Sequence, residues 1–169
     1  EIGSGLVGSE MCIRDSKSGM LMRKLFLTLL LFISVVACDD AYKSSIPDVA
    51  FELRYNIAVF PSITQPGYFV KVEKNTHGIP VGYAGIILGK SVFSDYGDNN
   101  YIAFDAACPV EASRSVSINV QEDGLGNAVC PSCGTKYALS SGGVPEGEGT
   151  EYLKRYNVTV NGSTLLVRN

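Results

Sequence analysis

Two cysteine–proline loops constrain this chain more than anything else in it. The first is Cys108-Pro109-Val110-Glu111. The second is Cys130-Pro131-Ser132-Cys133-Gly134-Thr135-Lys136-Tyr137. Each reads as a tight turn closing a short β run, because proline fixes φ and cannot continue a strand ladder, while glycine permits a sharp return. Two such loops facing each other can hold a metal centre or be stapled by a disulfide. Either requires a fold that brings residues 108 and 130 together from separate strands.

The rest of the mature sequence supplies such strands and no convincing helix. Residues 49–55 alternate, with Val49, Phe51, Leu53 and Tyr55 on one face, and 68–72 is a second strand. Residues 75–80 read as a loop carrying His77, and 82–92 as one bent strand or two short ones, with glycines for close backbone approach. Residues 101–104 deliver the chain to Cys108. Residues 115–120 alternate again, with Val116, Ile118 and Val120 facing one way, and the glycine turns at 123–127 return the chain to Cys130. The Gly-, Ser-, Pro- and Glu-rich stretch 140–151 is expected to be loop, and Asn161-Gly162 is expected to turn a final hairpin of 156–160 and 163–167. The fold class is therefore all-β, with many short antiparallel strands in a sandwich or barrel.

The second loop, running C-P-x-x-G-[ST]-x-[YF], together with the first resembles the cluster-binding loops of the Rieske iron–sulfur family. In that family the loops read C-x-H and C-x-x-H, two cysteines holding one iron and two histidines the other. The resemblance covers about 50–169. It places Cys108 and Cys130 on the cysteine ligands, Val110 on the first histidine and Cys133 on the second. The connection between the loops is longer than usual, as if extended at 122–127. A Gly-Pro loop, a leucine, a tyrosine and a last hairpin usually follow loop two. Leu153, Tyr156 and the hairpin are present, and the loop reads Gly147-Glu148-Gly149, with glutamate in place of proline. The resemblance implies stacked antiparallel sheets with the cysteine loops at one tip. The chain is similar to small envelope lipoproteins of Bacteroides-type bacteria that carry such a domain.

The N-terminal region fits that setting. Residues 1–19 resemble translated sequencing adapter and are set aside, Cys12 with them. From Met20, Arg23-Lys24 forms a positive n-region and 25–36 an apolar run too short for a comfortable bilayer span. Val35-Val36-Ala37-Cys38 resembles a bacterial lipobox, so 20–37 is read as a lipoprotein signal peptide and Cys38 as the lipid attachment site. Two or more acyl chains anchor stably where one does not. Residues 38–48 then form a polar tether and 49–169 the Rieske-like domain. Asp39-Asp40 resemble an outer-membrane export signal, which points to a bacterial envelope location at the outer membrane or cell surface rather than the inner membrane.

The mature chain 38–169 would hold 132 residues, enough for one core. Without the four basic and three acidic residues of 1–37, the chain totals of 14 and 17 leave 10 and 14, a net charge of −4. With no basic run, nucleic acid is not an expected partner. The expected partners are the membrane, through the anchor, and an unidentified protein.

The thiol chemistry stays open at this level. The chain holds one histidine, His77, so the two-histidine, two-cysteine ligand set is excluded. Four readings remain for Cys108, Cys130 and Cys133. The leading one is a scaffold without a cofactor, its cysteines paired or partly paired in an oxidising envelope and its role structural or interactive rather than enzymatic. The alternative is a [2Fe–2S] electron-transfer protein or oxidoreductase subunit with altered ligation, Glu111 being the nearest carboxylate in sequence. A zinc site on the three thiolates, with or without His77, is a third. Thiol–disulfide exchange at Cys130–Cys133 is a fourth, but it lacks the helix N-terminus that usually lowers a reactive thiol's pKa. One histidine also argues against a Ser–His hydrolase, and no catalytic residue is assigned.

Overall fold

The computed structural model describes residues 44–94, 98–147 and 149–169, all within one compact unit, Asp40–Asn169. Among the described residues the chain is all-β, with ten strands, three short 3-10 turns and no α-helix. Cys12, the apolar run 25–36 and Cys38 lie outside the described residues. Among the described residues no helix is long and apolar enough to cross a membrane.

The strands are β1 (Glu52–Asn56), β2 (Phe69–Val72), β3 (Ile86–Lys90), β4 (Tyr101–Asp105), β5 (Asn119–Val120), β6 (Asn127–Val129), β7 (Lys136–Ala138), β8 (Val144–Glu146), β9 (Arg155–Asn161) and β10 (Thr164–Arg168). They form two antiparallel sheets. The larger has the order β1-β10-β9-β4-β3-β2, the smaller β5-β6-β7-β8.

Strands β3 and β4 lie between two cores. Ile86, Leu88, Tyr101 and Ala103 point into a core shared with Leu53, Tyr156, Leu165 and Val167. The alternate residues Ile87, Ile102 and Phe104 point the other way, into a core with Ile118, Ala128, Tyr137, Leu139 and Leu153. A strand buried on both faces needs apolar residues at every position rather than every second one. That accounts for the unbroken apolar run Tyr101-Ile102-Ala103-Phe104. By contrast β1 alternates, with Leu53 buried between exposed Glu52 and Arg54. Val116, Ile118 and Val120 all meet the second core, as their alternation implies.

Three details depart from the sequence reading. Of 82–92, only Ile86–Lys90 is strand, a single one, and the glycines ahead of it turn the chain. The stretch 140–151 is not all loop. It holds β8, which pairs with β7 from Lys136↔Glu146 to Ala138↔Val144. Pro145 is tolerated there because β8 is the edge of its sheet, where a missing N–H costs no ladder bond. The last hairpin turns one residue later than expected. Asn161 still pairs with Thr164, and the turn is Gly162-Ser163, with Gly162 at φ 59° and neither Asn161 nor Ser163 at positive φ. Glycine in the first central position satisfies such a turn without the asparagine.

Candidate functional site

The cysteine loops are positioned by a buried carboxylate. Asp105, the last residue of β4, is fully buried just ahead of Cys108. Its Oδ2 accepts the Tyr83 N–H and the Tyr156 hydroxyl, the latter at 2.8 Å. Its Oδ1 accepts the N–H of Ala84 at 3.1 Å and of Ala107 at 2.8 Å. Four donors use the four lone-pair directions of one carboxylate. The result ties the 82–85 turn, β9 and the start of loop one to a single point. Burial, followed by the Asp105 charge, pushes the Tyr156 hydroxyl pKa well above its ordinary value, so it stays a donor. Sequence reasoning missed Asp105, because an acidic residue after an apolar run reads as a solvated turn. Tyr156, which it noted, proves to be a core residue.

Past Asp105, Ala107 bridges to Ser117, and the Ile118 N–H donates to Ala106 O at 2.8 Å, which brings loop one alongside the small sheet. Loop one closes on itself through Ala112 N–H to Cys108 O at 2.8 Å, with Ala112 held at a left-handed φ of 47°. Loop two joins β6 to β7. It is clamped by Cys130 N–H to Thr135 O at 2.9 Å and Gly134 N–H to Cys130 O at 3.0 Å.

These turns bring together the three thiols that the sequence singled out. The Sγ atoms of Cys108, Cys130 and Cys133 all lie within 4.8 Å of one another. Cys108 and Cys133 are 3.7 Å apart, and Cys108 Sγ lies 3.3 Å from the Tyr137 hydroxyl. All three are free thiols. A disulfide would need the sulfurs at about 2.05 Å, so the 3.7 Å pair is in contact but unbonded. Cys108 and Cys130 are buried, whereas Cys133 is partly exposed.

Loop two tunes its two sulfurs in opposite directions. Burial pushes the Cys130 thiol up to about 11, although the backbone N–H groups of Cys133 and Ser132 point at its sulfur. Burial also opposes charge on Cys133, but there hydrogen bonding prevails. The Thr135 hydroxyl, 3.2 Å from Cys133 Sγ, the Thr135 N–H, and the Cys130 and Cys108 thiols hold its pKa below the ordinary thiol value. Beneath them burial, followed by the hydrogen bond to Cys108, raises the Tyr137 hydroxyl well out of the physiological range. Of the two sulfurs of loop two, the partly exposed Cys133 is therefore the more acidic.

A Rieske [2Fe–2S] centre asks for four protein donors, two of them imidazoles. Among the described residues, no histidine or carboxylate joins the three thiols. His77 is exposed and lines a surface cleft with Glu52, Arg54, Asn75 and Thr76. Glu111 is outside the cluster too. Val110, at the first histidine position, is exposed and offers no donor atom. Gly149 packs between the loops, where an added Cβ would fall 2.7 Å from Thr135 Cγ2 and 3.4 Å from Val110 Cγ2. The residues present do not fit the conventional cluster. They do fit part of a tetrahedral thiolate site, because zinc–sulfur bonds of about 2.3 Å place neighbouring sulfurs about 3.8 Å apart.

No protein-family model matches the chain, and no curated protein matches it. Among solved structures the chain is similar to one in the complex of reduced oxygenase and oxidized ferredoxin in carbazole 1,9a-dioxygenase. The identity is 18 %, the TM-score 0.43, and the alignment covers 69 % of this chain and 92 % of that chain.

Proposed function

We propose that this chain is a lipid-anchored protein of a bacterial envelope, with a Rieske-like domain that carries no [2Fe–2S] cluster and acts as a non-enzymatic structural or interaction module. One observation carries this reading. The two loops converge as cluster loops must, yet they present three sulfur donors and, at the fourth position, the side chain of Val110. Asp105, the loop-one closure and the loop-two clamp hold these loops in place through protein groups. The anchor is read from the lipobox ending in Cys38, and the outer membrane or cell surface from Asp39-Asp40.

The anchor and the site are tested separately. Cys38→Ala should move the protein from the membrane fraction to the soluble fraction, and continued membrane association would sink the anchor. Anaerobic reconstitution of the wild-type protein with iron and sulfide should leave it colourless. A stable reddish-brown product would overturn the clusterless reading.

A second reading is favoured by the 3.7 Å separation of Cys108 and Cys133, which matches a tetrahedral thiolate edge. In it, a single zinc ion binds Cys108, Cys130 and Cys133, with a non-protein fourth ligand. It would cross-link loop one to loop two and serve the same structural role. One zinc per chain, lost together with thiol protection on chelation, distinguishes this reading from the metal-free one.

A further inference from the structure

The geometry points to a binding site for one monovalent copper ion, held in three-coordinate form by Cys108, Cys130 and Cys133, and this rests on the reading of the loops as clusterless. Three sulfurs meet here without a fourth protein donor. Their Sγ atoms lie within 4.8 Å of one another, and among the described residues no histidine or carboxylate joins them. With metal–sulfur bonds of about 2.3 Å, a trigonal plane of sulfurs has edges of about 4.0 Å. The Cys108–Cys133 edge is 3.7 Å. The other two edges are no longer than 4.8 Å, so each has to close by at most about 0.8 Å.

The number of donors selects among the ions that soft thiolates favour, which are monovalent copper, zinc and the iron of iron–sulfur clusters. A [2Fe–2S] cluster asks for four protein donors. Zinc in structural sites is almost always four-coordinate, so at this site it needs an outside ligand. The surroundings do little to hold one. Cys108 is 0 % exposed and Cys130 1 %. Among the described residues no buried side-chain nitrogen or oxygen lacks a hydrogen-bond partner, so none is left over to orient a bound water. Carbon atoms crowd the gap between the loops. A Cβ added at Gly149 would fall 2.7 Å from Thr135 Cγ2 and 3.4 Å from both Pro145 Cβ and Val110 Cγ2. Monovalent copper is a closed-shell, sulfur-seeking ion that three sulfurs in a plane satisfy.

Neutral hydroxyl groups flank the sulfurs. The Tyr137 hydroxyl lies 3.3 Å from Cys108 Sγ, and the Thr135 hydroxyl 3.2 Å from Cys133 Sγ. In the bound state both donate to thiolate sulfur, which orients the ligands and spreads their negative charge. Each thiol that becomes a thiolate releases its proton to solvent. The copper stays monovalent throughout, so no oxidant or reductant is consumed. Cys133, the partly exposed sulfur, is the ligand through which the ion enters and leaves. Once bound, the ion links loop one to loop two.

The test uses the full chain in non-ionic detergent, with Cys12→Ser and Cys38→Ser so that the three loop cysteines are the only ones left. It is titrated anaerobically with tetrakis(acetonitrile)copper(I) against the chelator bathocuproine disulfonate. One copper should bind per chain, the free-thiol count should fall from three to zero, and X-ray absorption at the copper edge should show three sulfur neighbours. A hundredfold excess of zinc chloride should leave the copper in place. Cys133→Ser alters the partly exposed ligand, so it should lower copper affinity at least tenfold while the metal-free melting temperature stays within a few degrees. Two-sulfur coordination with one thiol still open to alkylation, displacement of copper by equimolar zinc, more than one copper per chain, or unchanged affinity in Cys133→Ser would each overturn the inference. The clusterless reading fails by a different result, a reddish-brown product on reconstitution with iron and sulfide.

Discussion

Replacing Asp105 with alanine should cost this domain more than any single contact in the cysteine cluster. The carboxylate accepts from Tyr83 N–H, Ala84 N–H, Ala107 N–H and the Tyr156 hydroxyl, and all of it is buried. A hydrogen bond to a charged acceptor contributes about 1.5–3 kcal/mol net, so four such bonds set an upper limit of about 6–12 kcal/mol. The true loss is smaller, because removing the carboxylate also removes its own desolvation cost and water can follow into the space left. Each buried donor left unsatisfied costs about 1–3 kcal/mol, and with water taking up part of the four a net loss of about 3–5 kcal/mol is expected. Tyr156→Phe is the internal comparison. It deletes one of the four bonds and leaves the carboxylate three, so it should cost about 1.5–3 kcal/mol. Urea unfolding of residues 39–169 measures both. For a domain of this size, about 3 °C per kcal/mol places the Asp105→Ala melting temperature roughly 10–15 °C below wild type. Because Asp105 also holds the Ala107 N–H, the variant should expose Cys108 to alkylation under native conditions. A cost below about 1 kcal/mol, or one no greater than that of Tyr156→Phe, would refute the assignment of Asp105 as the organising group.

Three further outcomes follow from the same structure. Cys133 should be alkylated by iodoacetamide at lower pH than Cys130, whose pKa is pushed up to about 11, and mapping of modified peptides between pH 6 and 10 reads the order directly. The double variant Val110→His, Cys133→His supplies the two imidazoles that the loops lack. It should take up iron and sulfide on reconstitution and turn reddish-brown, whereas a colourless product would weaken the Rieske-like reading of the scaffold. The Lys154–Asp48 pair that pins residues 46–48 should hold down to acid pH. Lys154 and Asn169 keep the Asp48 pKa below its ordinary value, so the folded pKa is the lower one. The contribution is then complete above the ordinary carboxylate range and is lost only as pH falls through the depressed value. Proteolysis near residue 44 should accordingly stay slow at pH 5 and rise below pH 4.

What was legible in the sequence was local. The Cys-Pro turns, the alternation of β1 and the glycine-marked final hairpin are each written in a few adjacent residues. The apolar run of β4 was read only as a strand leading to Cys108, and its burial on both faces emerges from the packing of the two cores. Strand β8 was hidden because its Pro145 and flanking glycines carry loop chemistry, and only its place at a sheet edge makes it a strand. Asp105 was hidden because its four donors come from residues 83, 84, 107 and 156, a set assembled by pairing between distant strands. The sequence singled out all three thiols, and the single histidine already excluded the usual ligand set. That the sulfurs meet within 4.8 Å depends on the Ala107–Ser117 bridge, which no spacing rule supplies. The opposite tuning of Cys130 and Cys133 depends on the turn geometry of loop two, where backbone N–H groups point at both sulfurs and the Thr135 hydroxyl reaches one.

The most direct test is the metal and sulfide content of the protein purified anaerobically as residues 39–169, with its visible spectrum and free-thiol count. The account predicts no iron, no acid-labile sulfide and no visible absorption. Iron and sulfide in matching amounts, with the absorption of a [2Fe–2S] centre, would contradict it and make this chain a redox carrier with ligands of a new kind.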